Sequence, residues 1–301
     1  MELQQMRYVV AVAETSNFTR AAERCLVVQS ALSHQIARLE RELGARLFER
    51  TSRRVRLTPA GEAFLPAARQ ALEAAERARA EVAAAAGEIR GRLALGAIPT
   101  VAAVDLPRAL KEFHARHPQV KVTLRVGASE ELIERVRQGA MDAAFLGLPL
   151  GMAPKGVRSR ELGRGELVAV VPSDHRLATE RGVDLRRLAQ EVFVDFPEGT
   201  AGRAQSDEAF AAAGVTREVA FEVTAADFMA RLIRQGLGIA MLPAAFVGEA
   251  ADLRVLRVMD APARMEHLIW GPHRPSPAAA AFLNGLTGGQ PGWTAGPTAS
   301  G

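Results

Sequence analysis

One cysteine, Cys25, stands among 301 residues. That excludes an internal disulfide and a cysteine-built metal cluster, and it fits a reducing compartment. No run of about eighteen apolar residues occurs, so no membrane span is expected. Met1 to Arg7 alternates polar and apolar residues without the basic-then-apolar layout of a secretion signal, so a cytoplasmic location is expected. Catalytic signatures are missing too. The six histidines (His34, His114, His117, His175, His267, His273) show no HExxH or close carboxylate spacing, and no GxSxG, P-loop or GxGxxG pattern occurs. Neither enzyme activity nor a metal or cofactor is expected. The first sixty residues contain no lysine and no aspartate. Their ten arginines against six glutamates account for the whole net charge of +4, which leaves the remainder neutral. A basic module on a neutral body points to a polyanionic partner for that module alone, unless the imbalance is a surface accident.

What is present suits two domains with a sizeable core, at 48% hydrophobic and 24% charged residues. Met6, Val9, Val10 and Ala13 recur at helical spacing. Thr19 offers an N-cap hydroxyl to a short second helix, Arg20 to Leu26. Gln29 to Leu43 forms a third, with Leu32, Ile36, Leu39 and Leu43 on one stripe and Gly44 placed for a left-handed cap. This is the minimum for a helix-turn-helix. The stretch Arg50 to Leu57 then ends in alternating basic and apolar residues, the pattern of a β-wing. Thr58-Pro59 starts a long helix to Ala86, which at 1.5 Å per residue reaches roughly 43 Å. Leu65, Ala68, Leu72, Ala75, Val82 and Ala86 hold a seam along it, broken by Arg79. Such a seam needs a partner helix: a second copy of the chain, or its own body.

Beyond Gly91 strands and helices alternate, which predicts an α/β domain with largely parallel sheets. A shift of 97 residues lays Val122–Phe145 onto Val219–Leu242, matching Arg137-Gln138-Gly139 with Arg234-Gln235-Gly236. The same shift carries the strand Leu93–Ile98 onto Gln190–Asp195. Two similar α/β lobes with a cleft between them follow. The expected organisation is a winged helix-turn-helix over residues 1–58, a linker helix over 59–90 and a two-lobed domain over 91–288. The first lobe takes about 91–162 and 267–288, and the second about 163–266. The Gly/Pro/Thr/Ser-rich residues 289–301 are expected to be a disordered tail.

On the third helix Gln29, Ser30, Ser33 and His34 lie opposite the apolar stripe, where small hydrogen-bonding side chains can approach base edges. With Thr19 they form the candidate DNA-reading set, beside a solvated polar face as the plain alternative. Arg53 and Arg54 at the wing tip suit either a minor groove or ordinary phosphates. The stretch Phe18-Thr19-Arg20-Ala21-Ala22, Gln29-Ser30-Ala31-Leu32-Ser33, Ile36 and Leu39-Glu40 closely resembles the LysR-type helix-turn-helix signature. Leu43-Gly44, Leu47-Phe48-Glu49-Arg50 and Leu57-Thr58-Pro59-Ala60-Gly61 continue it, and Gly236 to Pro243 resembles the sensor half. The resemblance is dense over residues 1–65 and looser to about 286. It implies a homotetrameric regulator on double-stranded promoter DNA that responds to a small coinducer held in a type 2 periplasmic-binding-protein fold. Val28 departs from it where a capping serine is usual, as do Ser30 in place of proline and Cys25 in place of a core leucine.

The sensor cleft belongs where strands end and helices begin, because free backbone N–H groups attract anions there. Thr100, Ser129, Phe196, Thr200 and Thr224 are the candidates, with Arg203 as a basic partner for a small organic acid. Each hydroxyl is equally at home as a plain helix cap. A secreted solute receptor would account for the two lobes but not for the basic module. A purely architectural DNA binder has no use for a neutral body of this size.

Overall fold

The apolar stripes read from the sequence become the cores of separate bodies. A computed structural model describes residues 1–50, 55–244 and 252–286, and its contacts divide the chain into two compact units, Met1–Glu88 and Ile89–Gly301. Residues 51–54 and 287–301 lie outside the described residues, and with them Arg53, Arg54 and the expected tail. None of the described helices is long and apolar enough to cross a membrane.

The first unit opens with α1 (Leu3–Thr15), α2 (Phe18–Arg24) and α3 (Gln29–Leu43). Leu32, Ile36 and Leu39 are fully buried with Val9, Val12 and Ala21. Cys25 packs half-buried on the edge of this cluster, and burial raises its thiol pKa, opposed by Arg24 and Arg7. The cap of α2 is not Thr19. Asn17 holds that position and accepts from the Arg20 N–H at 3.0 Å, so the helix begins two residues early and Thr19 sits exposed in its first turn. Val28 is the N-cap of α3 with no side-chain hydrogen bond, and neither Gln29 nor Ser30 moves the helix start to replace it. Gly44 takes φ +68°, the left-handed cap expected of it.

A wing of β1 (Phe48–Arg50) and β2 (Val55–Leu57) follows, paired antiparallel from Phe48–Leu57 to Arg50–Val55. Its base is fixed at one residue. Glu40 on α3 accepts from the N–H groups of Leu47 (2.8 Å) and Phe48 (3.2 Å), and the Leu47 carbonyl accepts from Thr58 at 3.0 Å. Thr58 also caps the 27-residue helix α4 (Pro59–Ala85), its hydroxyl accepting from the Gly61 N–H at 3.0 Å. Helix α4 runs beside α1, tied by Arg7–Glu76 (3.1 Å) and Arg69–Glu14 (3.4 Å). Along the expected seam Ala68 is buried and Leu65, Leu72 and Ala75 are half-buried, whereas Val82 is 73% exposed.

The second unit contains β3 (Gly91–Ala97), α5 (Leu106–Arg116), β4 (Val120–Val126), α6 (Ser129–Arg137), β5 (Ala143–Pro149) and β6 (Arg158–Pro172). Then come β7 (Gly182–Val183), α7 (Leu185–Leu188), β8 (Val192–Asp195), α8 (Ala201–Ala212), β9 (Glu218–Glu222), α9 (Ala226–Arg234) and β10 (Ala240–Pro243). The described elements end with β11 (Leu253–Val258), β12 (Ala263–Trp270) and α10 (Pro277–Leu286). The offset of 97 is structural: α6 maps residue for residue onto α9, β4-β3 repeats as β9-β8 with parallel pairing in both, and a single parallel bridge from Phe193 to Ile239, just before β10, stands where β3 pairs with β5. The sheets as a whole are not largely parallel. β12 runs antiparallel to β5 and β6, and β10 and β11 run antiparallel to β6. The helical crossovers make the parallel cores, and the chain then returns between lobes on strands that oppose them. β6 pairs with β12 through Glu166 and with β10 and β11 from Leu167, so the expected boundary at residue 162 falls inside one continuous strand. The boundary at 266 falls inside β12.

Gly61 is the residue this fold spares least in the first unit, since a Cβ there would stand 2.1 Å from the Leu47 carbonyl oxygen. Gly61→Ala is expected to destabilise the first unit by roughly 1–3 kcal/mol through overpacking. The check is the urea midpoint of its unfolding in the full chain; a midpoint equal to that of the unaltered protein would mean that Leu47 moves freely.

Candidate functional site

Two faces carry chemistry, one in each unit. In the first, α3 turns Leu32, Ile36 and Leu39 inward, which leaves Gln29, Ser30 and His34 exposed on the opposite side and Ser33 half-buried among them. Thr19 is exposed one helix away, and Arg56 points outward on β2. The sequence reading therefore gathers Gln29, Ser30, Ser33 and His34 on one helix face.

In the second unit the carboxyl ends of β3 and β8 and the amino ends of α6, α8 and α9 surround one cavity of about 750 Å³. Thr100, Ser129, Phe196, Thr200 and Thr224 all line it, drawn from both lobes. The hydroxyls of Ser129 and Thr200 are already employed. Ser129 exchanges hydrogen bonds with the Gly147 backbone at 3.2 and 3.3 Å. Thr200 caps α8, accepting from Arg203 N–H at 3.3 Å while donating to Pro197 at 2.8 Å. Two of the helix ends have no such cap. Ala128 and Ala225 are the N-caps of α6 and α9, neither offers a side-chain acceptor, and both line the cavity. The first N–H groups of a helix have no partner within it, so these ends present donors and a positive dipole end.

Arg203 does not belong to this group. It does not line the cavity: its guanidinium contacts Asp207 and Glu222, each at 3.0 Å, and the Phe196 carbonyl at 3.3 Å. Burial works to lower its pKa, yet Asp207, Asp195 and Glu222 leave it raised. With Asp207 one turn away and two further carboxylates beside it, Arg203 joins a network with Arg217, whose guanidinium meets the buried Asp195 at 2.6 Å. Asp195 has a raised pKa because burial outweighs Arg217 and the Phe196 N–H.

The cation that does reach the cavity is Arg264 on β12, which is 3% exposed. It donates to the Thr100 hydroxyl at 2.7 Å, to the Thr100 carbonyl and to Glu266. Its Nε has no hydrogen-bond partner among the described residues. Burial lowers its pKa against the opposing pull of Glu266. Glu266 in turn accepts from the N–H groups of Ala102 and Ala103 at 3.0 Å, which fixes the loop after β3. Gln205, also missed in the sequence, crosses from α8 to the Gly147 carbonyl at 3.3 Å and joins the lobes over the cavity. Glu131 and Asp227 add carboxylates to the lining, and Glu131 is paired with Arg135 at 2.7 Å. Nearby on β12, His267 is buried and its pKa is lowered by burial, opposed by Glu161. No group of three metal-ligating side chains occurs among the described residues.

Comparison with known proteins meets this division of labour at both ends. Residues 3–62 match the profile described as bacterial regulatory helix-turn-helix protein, lysR family, and residues 86–289 match that of the LysR substrate binding domain. The HTH-type transcriptional regulator ShiR of Corynebacterium glutamicum is 38% identical over 80% of this chain and 82% of its own. The transcriptional dual regulator GltC of Bacillus subtilis is 35% identical over 86% of each. Among solved structures, full-length CbnR complexed with its target DNA superposes with a TM-score of 0.74 at 26% identity, covering 96% of this chain and 100% of that one. A full-length OxyR variant from Pseudomonas aeruginosa gives 0.69 at 28%, covering 94% of each. A helix-turn-helix unit, a two-lobed substrate-binding unit and relatives that match across both place this chain in the LysR family of DNA-binding transcriptional regulators.

Proposed function

We propose that this regulator, working in the cytoplasm without catalysing a reaction, reads promoter DNA through Gln29, Ser30, Ser33 and His34 on α3, with Thr19 and, outside the described residues, Arg53 and Arg54 as further DNA contacts. A small organic anion occupies the cavity between the lobes. The observation that carries the effector reading is the convergence of the uncapped ends of α6 and α9 with the buried Arg264 on one cavity. Carboxylate oxygens satisfy orphan helix N–H groups as a capping side chain does. Thr100, Ser129, Phe196, Thr200 and Thr224 shape the walls, and Arg264 takes the cationic place first given to Arg203. Binding shifts the lobes only so far as the ligand prefers one arrangement over another.

The same reading makes the protein a homodimer through α4, assembled further into a tetramer. Its support is the exposure of Val82 on a 27-residue helix whose seam is only partly covered within its own unit.

Both parts have direct checks. Ala225→Asp supplies α9 with the missing cap, so it is expected to stabilise the unliganded protein by about 1 kcal/mol. A panel of small mono- and dicarboxylates should raise the melting temperature of the unaltered chain, by about 2.7 kcal/mol of added stability at a hundredfold excess over Kd. The variant should respond at least tenfold more weakly. No carboxylate response from the unaltered chain, or an equal response from the variant, overturns the anionic cleft. For assembly, Val82→Glu places a charge that is harmless in a free helix but costly in an apolar contact. Sedimentation of the full chain should show the dimer dissociating, and an unchanged dimer would place the contact elsewhere.

A further inference from the structure

The turn that delivers α3 is built against local preference. After α2 the Leu26 N–H donates to the Glu23 carbonyl at 3.1 Å and the Val27 N–H to the Ala22 carbonyl at 3.0 Å. This is a Schellman closure, whose left-handed position ordinarily holds glycine. Here it holds Leu26, at φ +55° and 92% exposed. Two residues on, Val28 takes the N-cap position where a hydroxyl or carboxamide stabilises a helix, and it is 69% exposed. Two large apolar side chains thus face water from positions where neither backbone geometry, helix capping nor core packing favours them. The closure requires a left-handed residue but not a leucine, and strain of this kind clusters at functional surfaces.

Their setting names the partner. Val28 is continuous with Gln29, Ser30 and Ala31, all exposed at the entering end of α3, and the module that carries them holds the entire positive excess of the chain. A polyanion is drawn to this unit, and the apolar group that a DNA major groove offers is the C5-methyl of thymine. We infer that Leu26 and Val28 form an apolar edge that reads thymine methyl groups, which makes the turn before α3 a specificity determinant of this protein. This rests on the reading of α3 as the base-contacting helix. The usual cap of α3 is given up for a methyl contact, and a hydroxyl at residue 28 would restore the cap and lose the contact.

The test uses the full-length protein and duplexes selected by it from a random 30-base-pair pool. Each selected duplex is remade with deoxyuridine for every thymidine, a change that deletes only the methyl groups. Uridine replacement should weaken binding of the unaltered protein about fourfold for each contacted methyl. Val28→Ser should raise the melting temperature and lose part of the methyl sensitivity, keeping only the share that Leu26 carries. Leu26→Gly should also melt higher, through relief of the left-handed strain, yet bind the thymidine duplex more weakly than the unaltered protein. Insensitivity of the unaltered protein to uridine, undiminished methyl sensitivity in Val28→Ser, or unchanged affinity in Leu26→Gly each overturns the inference. Gln29→Ala separates it from the reading beneath. Lost sequence preference in that variant with no uridine effect in the unaltered protein sinks the methyl edge alone, and no change in either sinks the assignment of α3 as well.

Discussion

Everything in the second unit depends on one strand belonging to two sheets. β6 is fifteen residues long, and it gives its first part to β12 and its remainder to β10 and β11. Removing it would leave each lobe an open edge of unpaired N–H and C=O groups. With residues 259–262 leading back from β11 to β12, the chain passes between the lobes twice. Paired crossings confine relative motion of the lobes to a hinge about the line that joins them, which is the kind of closure available to a cleft binder. The Gln205 contact to Gly147 adds a single neutral hydrogen bond across the cavity, and one such bond is worth about 1 kcal/mol. Ala201 of α8 also packs buried among the first-lobe residues Ile98, Leu146 and Leu148, so the contact between the lobes is partly apolar.

The cavity wall keeps a buried ion pair at a net cost to its cation, since burial lowers the Arg264 pKa despite Glu266. Arg264 and Glu266 alternate on the same face of β12, meet each other, and spend their remaining valences on Thr100 and on the Ala102 and Ala103 N–H groups. Removing one member of such a pair leaves the other buried and unpaired, which is costly. The pair also places the strand of one crossing in contact with the loop that follows β3. A ligand that touches Arg264 therefore touches the hinge and the wall at once.

Much of this was legible in the residues. The stripe Leu32-Ile36-Leu39, the Thr58-Pro59 start, Gly44 and the 97-residue offset each bind a spacing to a geometry, and each has its counterpart in the fold. Of the six residues expected at the cleft from the rule that ligands sit at strand ends, five line the cavity. The failures share a cause: a sequence shows which groups are near in the chain but not which charges will find one another in space. Arg203 looked free beside the second-lobe loop and is instead captured by Asp195, Asp207 and Glu222. Arg264 and Glu266 look like the solvated face of an edge strand, and nothing local shows that the loop after β3 covers them. Thr19 lost the cap to Asn17 because both are competent and the turn after Thr15 decided between them. Opposed pairing of β12 and β6 could not be read from periodicity, which fixes a strand's faces but not its direction.

The two crossings also set an order of events while the chain is being made. The helix-turn-helix core closes within residues 8–64, and the second-lobe core within residues 167–258. The first lobe, begun at Leu93, needs Leu268, Trp270, Phe282 and Leu283 before its own core is complete. At roughly 5–20 residues per second of synthesis, strands β3 to β5 wait on the order of ten seconds for their partners. The half of the sensor that emerges first is thus the last to fold, and its apolar strands are the part of the nascent protein most in need of a chaperone.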